Sequence, residues 1–175
     1  MSVLDWGPFA RVRRNHALEH ATLQVLAEKN PRLKMAGYSD PNGFWVIGDV
    51  ESEQLEESAQ QALSRLRGGE SNLAIHPHCG TNLVTTSLLA GAAAAIGMMG
   101  SGRSTRERVE RLPMVISLVA LTMMASQPLG PYIQEHVTTS GSAVGMERME
   151  IVKIERVQRR MQSGDMPLHR VLTRS

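Results

Sequence analysis

Charged side chains crowd into residues 1–70 and 135–175, and the middle of the chain is almost bare of them. From Gly80 to Gly102 there is no charge, and TNLVTTSLLAGAAAAIGMMG is long enough to cross a hydrocarbon core, since about 20 apolar residues at 1.5 Å each span roughly 30 Å. A second uncharged stretch, Leu112 to Gln134, follows the linker RSTRERVER. Uncharged runs this long are rare outside membranes, so the pattern predicts a hairpin of spans at about 81–102 and 112–133. Gln127, Pro128, Gly130 and Pro131 place a kink or an end late in the second span. Buried core helices of a soluble protein are the competing reading.

The flanks read as a small polar α/β domain. Residues 8–29 predict a helix, with Pro8 in its first turn and Asn30-Pro31 closing it. LKMAGYS (33–39) and GFWVIG (43–48) flank Asp40-Pro41-Asn42-Gly43, a turn signal between two strands. Ser52 suits the cap of a second helix, with Glu53, Glu56 and Glu57 favourable at the positive end of its dipole and Gly68-Gly69 as its stop. Asn72 to Ile75 is expected as a third strand leading to the first span. Beyond the hairpin, residues 136–147 read as a flexible linker. EIVKIERV (150–157) and LHRVLT (168–173) read as strands around a turn at Ser163-Gly164-Asp165, with an amphipathic helix over 146–162 as the competitor. The fold class is α+β: a domain at 1–79 (helix, β-hairpin, helix, strand), a transmembrane hairpin at 80–134, and a C-terminal segment at 135–175 whose β-hairpin joins the first domain's sheet. No internal repeat is evident.

Composition narrows the partners. The net charge is +2 and only 3% of residues are aromatic, so the stacking platforms and basic clusters of nucleic-acid binders are missing. The acidic partner to expect is the lipid bilayer, with its anionic headgroups. Gly91, Ala92 to Ala95 and Gly97 let helix backbones approach closely, so the first span can pack on the second, on another copy or on a different membrane protein. The opening MSVLDWGPFARVRR lacks the long apolar core of a cleavable signal peptide. The single Cys79 permits no intrachain disulfide. The linker's arginines favour a cytoplasmic linker, yet Arg11, Arg13, Arg14, Arg65 and Arg67 precede the first span and Arg148 and Lys153 follow the second. Both termini are expected in the cytoplasm, with the protein multi-pass in the inner membrane.

Four of the six histidines fall in two clusters, HALEH at 16–20 and HPHC at 76–79. On a helix His16 and His20 lie one turn apart on one face, and Glu19 sits about 60° to one side. Phe9, Val12, Leu23 and Ala27 share that stripe, which suggests packing rather than open water. Two imidazoles at i and i+4 converge well on one metal ion. His76, His78 or Cys79 would add a nitrogen or a thiolate, and a thiol just before a helix has its pKa lowered by the dipole. The candidate ligands are His16, His20, His76, His78 and Cys79, and the expected ion is zinc. HxxEH is also the inverted zincin signature, in which a glutamate activates zinc-bound water, so Glu19 is the candidate general base of a hydrolase or peptidase. The alternatives are histidines that only stabilise the domain, and a non-catalytic structural or assembly component of a membrane complex.

NHALEHAT (15–22) and HPHCGTNL (76–83) together resemble a family of small, uncharacterised bacterial membrane proteins, a domain of unknown function seen in cyanobacteria and filamentous phototrophs of the chloroflexus type. The resemblance covers most of the chain, GFWVIGDV and both spans included. It implies a bacterial membrane protein and supplies no activity. The insulinase and pitrilysin families of inverted zincins match only at His16, Glu19 and His20. Their third ligand is a glutamate well downstream, a part that the isolated Glu70 does not fill.

The remaining signals are bland. Of 11 methionines, Met98, Met99, Met114, Met123 and Met124 fall in the spans, where a soft filler is expected, so copper handling is disfavoured. There is no glycine-rich phosphate loop and no serine nucleophile elbow. Mid-span ionisable groups that would mark an ion path are also missing.

Overall fold

A computed structural model describes residues 6–100, 102, 104–157 and 167–174. The chain divides into two compact units, Met1–His76 with Glu135–Ser175, and Pro77–Gln134.

The first unit opens with α1 (Gly7–Lys29), which carries Pro8 in its first turn and ends at Asn30, whose N–H returns to Leu26 O. β1 (Met35–Asp40) and β2 (Gly43–Gly48) form a hairpin, and α2 (Ser52–Arg67) follows. After the second unit the chain makes a short helix α6 (Ala143–Met146), then β3 (Glu150–Val157) and β4 (Leu168–Arg174). The four strands form one antiparallel sheet in the order β1-β2-β4-β3. The C-terminal strand therefore inserts beside β2, pairing Phe44 with Val171 and Val46 with His169. Alternation explains the packing, because residues two apart face the same side. Phe44, Val46 and Val171 are wholly buried with Leu18, Val25 and Leu26 of α1 and Leu55 and Leu66 of α2. The edge strand β3 carries Glu150, Lys153, Glu155 and Arg156, charges that discourage further strand pairing.

Polar groups join these layers. Asn15, buried on α1, donates to Asp40 O at 2.7 Å and accepts from the Thr173 hydroxyl at 2.6 Å. Arg170 pairs with Asp40 at 2.8 Å and stacks 4.8 Å over the Trp45 ring. For Asp40, burial works to raise the pKa, but the bonds from Arg170 and from the Asn42 N–H, with Arg170's charge, outweigh it and hold the carboxyl below its usual value. His169 is fully buried, and Ser52 Oγ lies 3.0 Å from its Nε2. Burial and the neighbouring Arg156 keep this imidazole's pKa low, against the pull of Glu51.

Several expectations need correction. Asn72 to Ile75 is no strand; Ser71–Ala74 is a turn of 3-10 helix, because Gly68-Gly69 bends the chain back and Leu73 and Ala74 are buried against the helices instead of a sheet edge. Ser52 does not cap α2. Glu51 holds the cap position, and the Ser52 hydroxyl is turned toward His169. Nor is 136–147 a loose linker, since Met146 is wholly buried and Arg67 binds Met146 O and Met149 O. Residues Glu150–Val157 are strand, so the helical alternative over 146–162 fails in that part. The turn at Ser163-Gly164-Asp165 lies outside the described residues.

The second unit is an antiparallel pair of long helices, α3 (Gly80–Met98) and α4 (Thr105–Ser126), followed by α5 (Leu129–Ile133). Both long helices are long and apolar enough to cross a membrane. α4 begins within the linker, earlier than expected, because RERVER is a good helical sequence with an Arg106–Glu110 pair one turn apart at 2.9 Å. Arg111 donates to Met99 O and Gly100 O and so binds the carbonyl end of α3. Gly97 lies against Val115 and Leu118, whereas a side chain at Gly91 would meet nothing within 4 Å. Polar pairs join the helices too: Ser126 donates to Thr86, and Gln134 to Asn82 at 2.6 Å.

Gly43 is the most constrained hairpin position. Its φ of +146° disfavours side chains, and a Cβ there would lie 2.0 Å from Val171 O on β4. Gly43→Ala is expected to lower stability by about 2 kcal/mol or more. Thermal denaturation of detergent-solubilised protein measures the loss.

Candidate metal centre

Helical geometry selects the residues of the centre. Arg13, His16, His20 and Gln24 follow one another at spacings of three, four and four, which puts them on one face of α1. The His16 and His20 rings sit 4.2 Å apart between centroids, and the His76 ring is 5.5 Å from that of His20. His20 is almost completely buried and His16 and His76 are half-buried.

Each helical imidazole is held through the same nitrogen. His20 Nδ1 lies 2.7 Å from Ala74 O, and His16 Nδ1 lies 3.0 Å from Thr138 O. A carbonyl only accepts, so Nδ1 carries a proton in both rings and Nε2 is the nitrogen that can offer a lone pair to a metal. Imidazole ligands of metals are oriented in this way.

Glu19 is placed differently. It is buried, accepts a hydrogen bond from Ser39 on β1, and packs its carboxyl on Gly37, where a Cβ would come within 2.1 Å of Oε1. Burial raises its pKa above the usual carboxyl value; the Ser39 bond and the charge of His16 oppose this and are outweighed. Of the expected stripe, Leu23 is buried but Phe9 and Ala27 are exposed, so the apolar support of the histidines comes from other residues.

In the second unit, Cys79 is the N-cap of α3 and its thiol accepts from Thr81 N–H at 3.4 Å. His78, next to it in the chain, is exposed. Glu70, the remote counterpart of a zincin's third ligand, is paired with Arg65 at 2.8 Å.

Sequence reasoning missed the partners that orient the rings. Ala74 and Thr138 contribute main-chain oxygens, which leave no mark in a sequence. Gln24 and Arg13 were visible as a continuation of the His16/His20 spacing.

The fold and this face define an α+β domain bearing a histidine helix, in a chain that also has two helices fit to cross a membrane. The chain belongs to the family described as a domain of unknown function, DUF6391, whose sequence profile matches residues 11–154. It is also similar to an uncharacterised protein of Picosynechococcus sp., 35% identical over an alignment of 151 positions that covers 78% of this chain and 72% of the relative. No solved structure matches the chain.

The raised pKa of Glu19 has a definite sign. The folded state holds this proton to higher pH than the unfolded chain, so its contribution to stability falls as pH rises from the ordinary carboxyl range through the raised value. Metal-free Glu19→Gln is therefore expected to melt above the parent at neutral pH, with the gap closing as pH drops below the ordinary carboxyl pKa. Thermal melts across a pH series measure it.

Proposed function

We propose that this protein is a bacterial inner-membrane metalloprotein, multi-pass, whose polar domain binds one zinc ion. The ion is held by Nε2 of His16 and His20 with one or two donors from His76, His78 and Cys79. The observation that carries the reading is the pair of rings 4.2 Å apart with both Nδ1 atoms fixed on carbonyls, which directs each lone pair through Nε2. Nitrogen with an added thiolate or third imidazole is a donor set that zinc takes in tetrahedral geometry. Two residues lie between His76 and Cys79, so the chain holds their backbones within about 10 Å of one another.

Membrane insertion is supported by exposure. In the most apolar window of each long helix only 11% of residues are buried, while Leu83, Val84, Leu88, Ile96, Ile116 and Leu121 are more than half exposed. The core helix of a soluble protein would hide such side chains; a lipid-facing one leaves them open. The 19 residues of α3 span about 28 Å, close to the thickness of a bilayer core. Both termini lie in the cytoplasm in this reading. Alkaline carbonate extraction of native membranes should leave the protein in the pellet, and release into the supernatant would refute the insertion.

Untagged protein purified in detergent should carry about one zinc per chain by elemental mass spectrometry. His16→Ala/His20→Ala should lose it, and Cys79→Ser should bind more weakly. Metal that stays sub-stoichiometric and unchanged in the double variant would remove the ion from the account.

A hydrolytic role is the second reading, favoured by the HxxEH spacing that sets Glu19 next to His20 in the chain and by the burial that raises its pKa. Here the ion keeps one position for water and Glu19 is the general base. Glu19→Gln should then retain zinc and lose cleavage of casein or a membrane-protein substrate. Zinc retained without cleavage in either form leaves a non-catalytic membrane component, with the ion structural.

A further inference from the structure

Four side chains of the α1 stripe bind main-chain carbonyls, and those carbonyls fall on two segments. Gln24 Nε2 donates to Leu73 O and Ile75 O, each at 2.9 Å, on either side of the Ala74 O that holds His20. Arg13 Nη2 donates to His136 O at 3.3 Å and Thr139 O at 3.0 Å, on either side of the Thr138 O that holds His16. Each ring-orienting carbonyl is thus bracketed by a second side chain from the same helix face, and the device occurs twice. The two segments also touch one another, since a Cβ on Gly141 would come 2.5 Å from Ala74 Cβ and 3.3 Å from Ser71 O. They are the segments by which the chain leaves the polar unit for the helical hairpin and returns from it.

We infer that Gln24 and Arg13 are positioning residues for the metal, and that metal loading in turn locks the 71–76 and 135–140 segments onto α1. This rests on the metal reading above. Gln24 fixes the direction of the Ala74 carbonyl and Arg13 that of the Thr138 carbonyl. Those carbonyls fix the tautomer and tilt of the ligand rings, as outer partners of metal-bound histidines do. Coupling is reciprocal: if an undocked segment weakens the ion, the ion stabilises the docked segment by the same factor.

The test uses the full-length protein in detergent. Zinc affinity is measured by chelator competition for the parent, Gln24→Glu, Gln24→Ala and Arg13→Ala, with melting of the metal-free forms as a check on folding. Gln24→Glu keeps the shape and replaces two donors with acceptors facing carbonyls. It should weaken zinc about tenfold, within the range for outer-shell partners, and Arg13→Ala should do likewise. Hydrogen exchange of the parent, which needs no variant, should show amides of 71–76 and 135–140 slowed when zinc is added and released by chelator. A parent that binds no zinc removes this inference together with the metal reading. A parent that binds zinc, with unchanged affinity in the folded variants or no protection of the two segments, overturns the inference and leaves the metal reading standing.

Discussion

The polar face of α1 is the constraint on which the first unit turns. A buried polar side chain without a partner is costly, by roughly 1–3 kcal/mol for a neutral group. A helix that turns Arg13, His16, His20 and Gln24 inward must therefore be met by acceptors. The sheet gives Asp40 O, at the end of β1, to Asn15, but most of its carbonyls are committed to its own ladder. The acceptors for these four come from two short helical turns and the residues that end them, a 3-10 turn at Ser71–Ala74 and a π-helical turn at Gln134–Thr138, through carbonyls of 73–75 and 136–139. That explains why the 72–75 stretch is a 3-10 turn and why residues after 135 are ordered. The side of the helix with Leu18, Val25 and Leu26 is mainly apolar and takes the sheet and α2, with Asn15 and Glu19 bonded to the strands.

What could be read from the chain follows from how local each signal is. Helices α1 and α2, the β1–β2 hairpin and the C-terminal strands are written in periodicity and in punctuation such as Asp40-Pro41-Asn42-Gly43. The apolar helices are legible from composition alone. Asn72–Ile75 was misread because four residues are too few for periodicity to tell a strand from a buried turn, and tertiary burial of Leu73 and Ala74 decided it. Ser52 was misread because a capping serine and a serine that meets a distant histidine look alike until His169 is placed beside it. At the candidate centre the His16/His20 pairing was legible. The orientation of Glu19 was not, because it depends on Gly37 and Ser39 of a strand packed against the helix.

Within the second unit the division of labour is plain. Close approach of α3 and α4 is obtained at Gly97 by the absence of a side chain and at Thr86 and Ser126 by a hydrogen bond between the helices, while Gln134, just past α5, donates to Asn82 of α3. Interhelical bonds of this kind have few competitors away from water, and small residues allow the contact that dispersion requires. The open surroundings of Gly91 show that one glycine of the same run serves the hairpin and the other does not.

The place of β4 in the sheet also fixes an order of events during synthesis. β2 is bonded to β1, its neighbour in sequence, on one side, and on the other to a strand that follows the whole helical hairpin. The ribosome adds on the order of 5–20 residues each second. The free edge of β2 therefore exists for on the order of ten seconds before Leu168–Leu172 emerge. Both apolar helices are made within that interval. The polar domain is thus finished last, by its C-terminal strand. A chain interrupted after the hairpin would carry its helices and most of its histidines, yet leave β2 with an open row of backbone donors and acceptors, a state that invites pairing with other chains.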